Sequence, residues 1–334
     1  EEVEGPHSTV SEPANNDPFA SLWWWRCKRT DLYVNDLNRG LQTALDPKTH
    51  AGHSNNTLYT GLWEAVAPEL CAKASNLSTT TRGGDTWTVR QMLNARWGTL
   101  MCPKLAHRYR LRTDPYCPHC RSEAGAPTEG TGGHILGGCR HPYMQGLYTK
   151  RHDSAVRIIA DCLQAGAQGG GVMLRDAGQA ADLPAYCDGK RLPPWLHPEG
   201  LSPEAAAKMR PDIVFIPSLP ACKGRRAPPL DKNKHPVYLL EIGYCGDTRH
   251  TEKRAEKAAQ HARLVAGLQA SGWTVHYKII TLGHTGTVPQ TLKNTLTTLG
   301  VDGPDATACA AALHRHAADT IRPVVKTYRC LGGG

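Results

Sequence analysis

The sequence lacks any long hydrophobic run and contains almost no Phe. Only 2 of its 334 residues are Phe, although 8 Trp and 11 Tyr can supply bulk for a core. No stretch approaches the ~18 consecutive apolar residues of a membrane-spanning helix, so we expect no membrane segment. The acidic start, EEVEGPHS, lacks the apolar region of a secretory signal, which argues against secretion. Because the chain does not begin with Met, we expect it to be a piece of a longer protein.

Cysteine is abundant, with 12 residues, yet the spacing does not suggest disulfides. Only Cys117, Cys120 and Cys139 are close together, and the other cysteines are scattered singly. A long chain without an export signal is not the usual setting for a disulfide-stapled scaffold. We therefore expect reduced thiols and a reducing compartment, the nucleus or the cytoplasm.

Acidic residues are outnumbered, with 30 Asp and Glu against 39 Lys and Arg, which gives a net charge of +9. The excess is concentrated in the stretches 104–112 and 222–234. A clustered excess of this kind favours polyanionic partners such as nucleic acid, and the alternative is an ordinary solvated surface. The residues that we expect to contact nucleic acid are Lys104, Arg108, Arg110, Arg112, Arg151, Lys223, Arg225 and Arg226.

Hydrophobic periodicity predicts an α/β protein with a mixed sheet. We expect helices at 62–74, 86–101, 107–111, 148–164, 251–270, 289–299 and 306–318, and strands at 172–174, 213–216, 237–242 and 275–282. The strand 237–242 is apolar on both faces, which is typical of a central strand. The buried face of the helix 251–270 is predicted to comprise Ala255, Ala258, Ala259, Ala262, Val265 and Leu268.

One group of residues has the spacing of a metal site: Cys117, Cys120, His134 and Cys139. Two cysteines separated by two residues form one turn, and a His and a Cys separated by four can complete a zinc tetrahedron. The Gly-, Pro- and Thr-rich loop between the two pairs has no core of its own, so a structural zinc would stabilise it. The alternative is chance thiols beside a surface His, and His119 and His141 are alternative ligands.

Two acidic residues lie at or within the predicted strands. Asp212 opens the strand 213–216, and Glu241 lies inside an apolar strand, where a carboxylate is costly unless it is paired or metal-bound. Converging on one Mg²⁺, they could activate water beside a phosphate, with Lys253 or Lys257 stabilising the developing charge. The alternatives are a salt bridge from Glu241 to Arg254 or Lys257, and an ordinary acidic residue at the start of a strand for Asp212.

These motifs resemble the C-terminal region of non-LTR retrotransposon proteins that carry a restriction-like endonuclease. In that family a CCHC zinc knuckle, here Cys117, Cys120, His134 and Cys139, precedes the nuclease. An Arg/Lys-His-Asn element resembles Arg151-His152-Asp153, and an Arg/Lys-Pro-Asp element resembles Arg210-Pro211-Asp212. Glu241 matches the strand acid. Gly243 occupies the position of the usual E-x-K lysine, so Lys257, or secondly Lys253, would substitute from the helix.

The resemblance covers roughly residues 85 to 285 and implies a PD-(D/E)XK fold. Together with composition and periodicity it divides the chain into a poorly ordered, loop-rich segment 1–85, a basic helical linker 86–115, the zinc knuckle 116–145, the nuclease core 146–285 and C-terminal helices and tail 286–334. It also implies Mg²⁺-dependent nicking of target DNA, with Asp212 and Glu241 as metal ligands and His152 as a phosphate-positioning residue. DNA, and secondly element RNA, would be the partners. The alternatives are a catalytically inactive nucleic-acid-binding remnant and an enzyme of another class with a structural zinc.

Overall fold

The computed structural model describes residues 86–96, 98–120, 127–166, 172–175, 196, 198–202, 205–206, 209–217, 232 and 234–331. Its elements are α1 (Thr86–Arg96), α2 (Pro103–Arg108), a π-helix (His134–Gly138), α3 (Pro142–Gly166), β1 (Val172–Arg175), β2 (Ile213–Ile216), β3 (Val237–Cys245), α4 (His250–Ala270), β4 (Val275–Gly283), α5 (Gln290–Thr298) and α6 (Gly303–Leu331). The predicted helix 62–74 and the basic residues Lys223, Arg225 and Arg226 lie outside this part of the chain.

The four strands form one mixed sheet in the order β1-β2-β3-β4. β2 is antiparallel to both β1 and β3, whereas β3 and β4 run parallel along their whole length. Parallel neighbours need a crossover connection, and α4 supplies it. The predicted α/β class with a mixed, helix-flanked sheet is therefore confirmed.

Side-chain alternation along the strands divides the core into two layers. On one side, Ile213, Phe215, Leu240 and Ile242 share a cluster with residues of α3, α5 and α6. On the other side, Val214, Ile216, Val237 and Leu239 pack with Leu264 and Leu268 of α4. Glu241 follows the alternation of Val237 and Leu239, so it projects towards α4.

The buried face of α4 differs from the prediction. Ala255, Ala258, Ala259 and Ala262 are exposed, whereas His261, Leu264 and Leu268 are buried. Alanine is the best helix former but carries little apolar area, so its exposure is energetically cheap. The orientation of the helix is therefore decided by Leu264 and Leu268 and by the contacts of Lys257 and His261 with Glu241.

The helix α6 is much longer than the predicted segment 306–318, because it continues through Pro323 to Leu331. Its second half packs on α1 and shares a cluster with Cys117 and Cys139. Proline is normally a helix stop signal, which explains the short prediction. Proline is tolerated at the first position of a helix, and Pro103 begins α2, where its missing N–H is harmless. Among the described residues no helix combines the length and hydropathy needed to cross a membrane.

Candidate functional site

The four predicted zinc ligands come together in the structure. The ligand atoms of Cys117, Cys120, His134 and Cys139 all lie within 4.8 Å of one another. Cys120 Sγ lies 3.4 Å from His134 Nε2 and 3.7 Å from Cys139 Sγ. Three thiols and one imidazole form a donor set that fits zinc in a closed structural site. The cluster could therefore hold a metal ion such as zinc.

Neighbouring groups orient the thiols of this cluster. The backbone N–H of Arg140 donates to Cys120 Sγ at 3.2 Å, and the hydroxyl of Tyr328 donates to Cys117 Sγ at 3.3 Å. Burial alone would raise the pKa of Cys117, but hydrogen bonds from His134 and Tyr328 lower it overall. Burial raises the pKa of Cys139 to about 12. A divalent cation would favour the thiolate form of both residues.

The two alternative histidine ligands have other contacts. His119 Nε2 lies 3.1 Å from the carbonyl oxygen of Tyr328. His141 stacks on the exposed ring of Tyr143, with the ring centroids 5.5 Å apart. Neither belongs to the group of converging ligand atoms, which supports His134 as the imidazole ligand.

Asp212 is fixed immediately before β2. Its Oδ2 accepts a 2.6 Å hydrogen bond from the N–H of Ile242, and its Oδ1 lies 3.3 Å from His152 Nε2. Ile213 is paired with Leu240, so the same antiparallel register continued by one residue places Asp212 opposite Glu241. Residues directly opposite in an antiparallel pair share a face and are close neighbours. The two predicted acidic residues are thus brought to the same part of the sheet.

Glu241 is buried against α4 with its charge neutralised. Its Oε1 lies 2.6 Å from Lys257 Nζ, and its Oε2 lies 3.2 Å from His261 Nε2. Burial alone would raise the pKa of Glu241, but His261 and Lys257 outweigh this effect and hold the pKa below its usual value. The carboxylate is therefore ionised at neutral pH. The ion pair with Lys257 is the structural role that the sequence allowed for Glu241.

Two residues beside the acids were missed by the sequence reasoning, namely His261 and Tyr277. His261 lies one turn after Lys257 on α4, so the i, i+4 spacing was the signal that could have identified it. The hydroxyl of Tyr277 donates to the carbonyl oxygen of Lys257 at 2.9 Å. Burial raises the pKa of Tyr277, and the charges of Glu241 and Asp212 raise it further. The negative charges of both carboxylates therefore favour the protonated form of the Tyr277 hydroxyl.

A cavity of about 270 Å³, which we call the Gly243 cavity, is lined by Gly137, Tyr148, Thr149, Arg151, His152, Ile242, Gly243, Tyr244, Lys253, Lys257 and His284. Neither acid lines it, but His152, which contacts Asp212, and Lys257, which contacts Glu241, do. A Cβ atom at Gly243 would lie 3.4 Å from Lys253 Cε and 3.6 Å from Lys257 Cε. The two helix lysines thus reach the place where a lysine at position 243 would begin. Burial alone would lower the pKa of His152, but Asp212, Asp153 and the Ile242 carbonyl raise it to about 9.

The predicted nucleic-acid contacts in the described residues fall into two groups. Arg108 and Arg110 are exposed, Lys104 is exposed and pairs with Glu129 at 2.6 Å, and Arg112 is half-buried near Asp114. Arg108 and Lys104 line a second cavity of about 850 Å³ between α2 and the β3–α4 loop. Arg151, in contrast, is only 2% exposed. It is not part of the exposed basic surface, and a phosphate could reach it only through a cavity.

The described site combines a Cys₃His cluster with two opposed carboxylates, two lysines and a charged histidine. Such an arrangement can bind metal ions and stabilise negative charge on a phosphate. No protein-family model matches the chain, and no curated protein matches it either. The resemblance to retrotransposon endonucleases therefore depends on the sequence motifs alone.

Proposed function

We propose that this chain is a magnesium-dependent DNA endonuclease that nicks target DNA for retrotransposon insertion, with a zinc knuckle that binds nucleic acid. The element order supports the proposal, because α3, β1, β2, β3, α4 and β4 follow the αβββαβ order of the PD-(D/E)XK core implied by the motifs. Nuclear localisation follows from the same proposal, since target DNA lies in the nucleus.

The observation that carries the proposal is the placement of Asp212 opposite Glu241, with their contacts His152 and Lys257 in the lining of the Gly243 cavity. The two carboxylates are hard oxygen ligands, which Mg²⁺ prefers. Bound there, magnesium would polarise a phosphate and lower the pKa of a coordinated water. The donor set fits this ion, because Asp212, immediately before β2, and Glu241, in β3, lie opposite each other when the β2–β3 register is continued by one residue.

The remaining residues of the site have separate roles in this proposal. Lys257 neutralises Glu241 in the absence of metal, and its ammonium group can stabilise negative charge on a phosphate in the Gly243 cavity. Lys253 lines the same cavity and is the second candidate. His152 is held by Asp212 and by the Ile242 carbonyl, and its positive charge can orient a phosphate oxygen.

The zinc knuckle and the exposed basic residues would hold the nucleic acid. Lys104, Arg108 and Arg110 lie next to the zinc segment along the chain, and phosphate contacts of this kind give affinity without reading sequence. Target DNA is the first candidate partner, and element RNA is the second.

One observation favours the alternative of an inactive nucleic-acid-binding remnant. Glu241 Oε1 is already paired with Lys257, and His261 Nε2 lies 3.2 Å from its Oε2, so a metal would have to compete with Lys257 and fit beside His261. In that case the zinc cluster and the basic surface would retain nucleic-acid binding while Asp212 and Glu241 served only to stabilise the sheet.

Nicking of supercoiled plasmid distinguishes the endonuclease from the inactive nucleic-acid-binding remnant. Zinc-replete protein is incubated with magnesium, and the wild type is compared with Asp212→Ala and Glu241→Ala. We expect open-circular product that depends on magnesium and disappears in both variants. Folded wild type that binds DNA but leaves the plasmid uncut would support the remnant instead.

A further inference from the structure

Buried polar groups without hydrogen-bond partners converge on the Gly243 cavity. They are Nε and Nη1 of Arg151, the hydroxyl of Tyr244 and Nδ1 of His284, and all three residues line the cavity. Leaving a buried polar group unpaired is costly, and the penalty is larger for a charged group. Three such residues around one opening indicate that a ligand completes their hydrogen bonding.

The guanidinium of Arg151 lies over two tyrosine rings, and its Nε and Nη1 remain without hydrogen-bond partners. Its Cζ lies 4.4 Å from the ring centroid of Tyr244 and 5.5 Å from that of Tyr148. Cation–π contacts of this kind stabilise the charge but use none of the N–H donors. Among the described residues no carboxylate lies within ion-pair distance of Arg151, although arginine is rarely fully buried without such a partner. The missing partner is therefore an anion.

The rest of the lining strengthens the preference for an anion. Lys253 and Lys257 enter from α4 and His152 from α3, so the lining is predominantly positive. One wall is formed by Gly137 of the π-helix, where a Cβ atom would overlap the ring of His284. The volume of about 270 Å³ is slightly below the range of ~300–1,000 Å³ typical of small-molecule pockets, so it admits a small group and not a large ligand.

We propose that the Gly243 cavity binds one phosphate group of a nucleic-acid strand, with Arg151 as its principal ligand and Tyr244, His284 and Lys253 as further donors. Donors from α3, β3 and α4 surround the group, which suits the several acceptor oxygens of a phosphate, and an arginine edge matches two of them. The choice of a nucleic-acid phosphate rests on the proposed function.

Thermal unfolding tests whether a phosphate binds at Arg151. The zinc-replete, magnesium-free protein is heated in inorganic phosphate and in chloride of equal ionic strength. We expect phosphate to raise the melting temperature of the wild type and of Arg157→Met, a control that removes an exposed arginine from the same helix. Arg151→Met should lose this response while remaining folded. An undiminished response in Arg151→Met would overturn the proposal.

A second variant and a second ligand keep the test decisive if Arg151→Met does not fold. Tyr244→Phe removes only one hydroxyl and should weaken the binding of a short single-stranded oligonucleotide measurably. Arg151→Met should weaken it about tenfold to hundredfold, as expected for losing hydrogen bonds to a charged group. If both variants bind oligonucleotide as the wild type does, while inorganic phosphate still requires Arg151, the site takes free phosphate and the nucleic-acid assignment is wrong.

These measurements are independent of nicking. If Arg151→Met loses the phosphate response and the wild type does not cut plasmid, the phosphate site is supported and the endonuclease proposal is wrong. If the wild type nicks plasmid, but phosphate and oligonucleotide bind Arg151→Met as they bind the wild type, the endonuclease would stand and the phosphate site at Arg151 would be wrong.

Discussion

Lys257 Nζ lies 2.6 Å from Glu241 Oε1, and this pair joins the crossover helix α4 to the central strand β3. The side chain of Glu241 is 3% exposed and that of Lys257 is 17% exposed, so water screens the pair only weakly. The arrangement makes Lys257 important for stability as well as for the proposed chemistry, and it distinguishes Lys257 from Lys253.

Replacing Lys257 with Met should therefore destabilise the fold by about 3 kcal/mol or more, because it leaves Glu241 buried with His261 as its remaining partner. Lys253→Met should cost less than about 1 kcal/mol, since Lys253 pairs with the exposed Glu256. Chemical denaturation measures both. Adding Glu241→Gln to Lys257→Met should recover part of the loss, and similar costs for the two lysine variants would show that the buried pair contributes little.

The Cys₃His cluster gives a prediction about metal content. Cys139→Ala should abolish bound zinc and lower the melting temperature, because the ligand set loses one of its members and metal binding contributes to folding. Cys102→Ala is the matched control, since Cys102 is buried in the same hydrophobic cluster but is not a ligand. Elemental analysis and thermal unfolding with a chelator provide the readout. Retention of stoichiometric zinc by Cys139→Ala would remove this residue from the site.

The raised pKa of His152 predicts a pH dependence of stability. The pKa is about 9 in the folded chain and 6.5 in the unfolded reference, so the folded state binds the proton more tightly. The stabilisation is fully present below pH 6.5 and is lost as the pH rises through 9. Denaturation in magnesium-free buffer should show a steeper fall over this interval for the wild type than for His152→Gln. Identical pH profiles would mean that the contact with Asp212 is energetically neutral.

The space beside Gly243 predicts that a lysine introduced at this strand position can replace the helix lysine Lys257. Gly243→Ala should be tolerated, because its Cβ would meet Lys253 and Lys257 at ordinary contact distances of 3.4 to 3.6 Å. In the proposed endonuclease, Lys257→Met should lose nicking, and Gly243→Lys in the same chain should restore part of it. Plasmid nicking is the measurement. A double variant that is folded at the assay temperature but no more active than Lys257→Met would contradict the idea that a lysine on β3 can replace the helix lysine.

Hydrophobic periodicity and ligand spacing predicted those features of the fold that are determined by residues close together in the sequence. The four strands, the length of α4 and the convergence of Cys117, Cys120, His134 and Cys139 follow from periodicity and from ligand spacing. The opposition of Asp212 and Glu241 also requires the register that pairs Ile213 with Leu240, and the strand pattern alone does not give this register.

Features that depend on tertiary packing could not be read from the sequence. The helix α6 continues through Pro323 because its second half packs on α1 and the zinc segment, which no local pattern reveals. The exposed alanines of α4 and the burial of Arg151 have the same origin. Burial of Arg151 is decided by Tyr148, Tyr244 and the cavity beside them.

The central claim is that Asp212 and Glu241 bind one divalent ion between them. Electron paramagnetic resonance of Mn²⁺, used in place of Mg²⁺ with zinc-replete protein, tests this claim directly. We predict a single tight site in the wild type that is lost in both Asp212→Asn and Glu241→Gln, while the zinc content of the variants is unchanged. Unaltered Mn²⁺ binding in either variant, or none in the wild type, would contradict the claim.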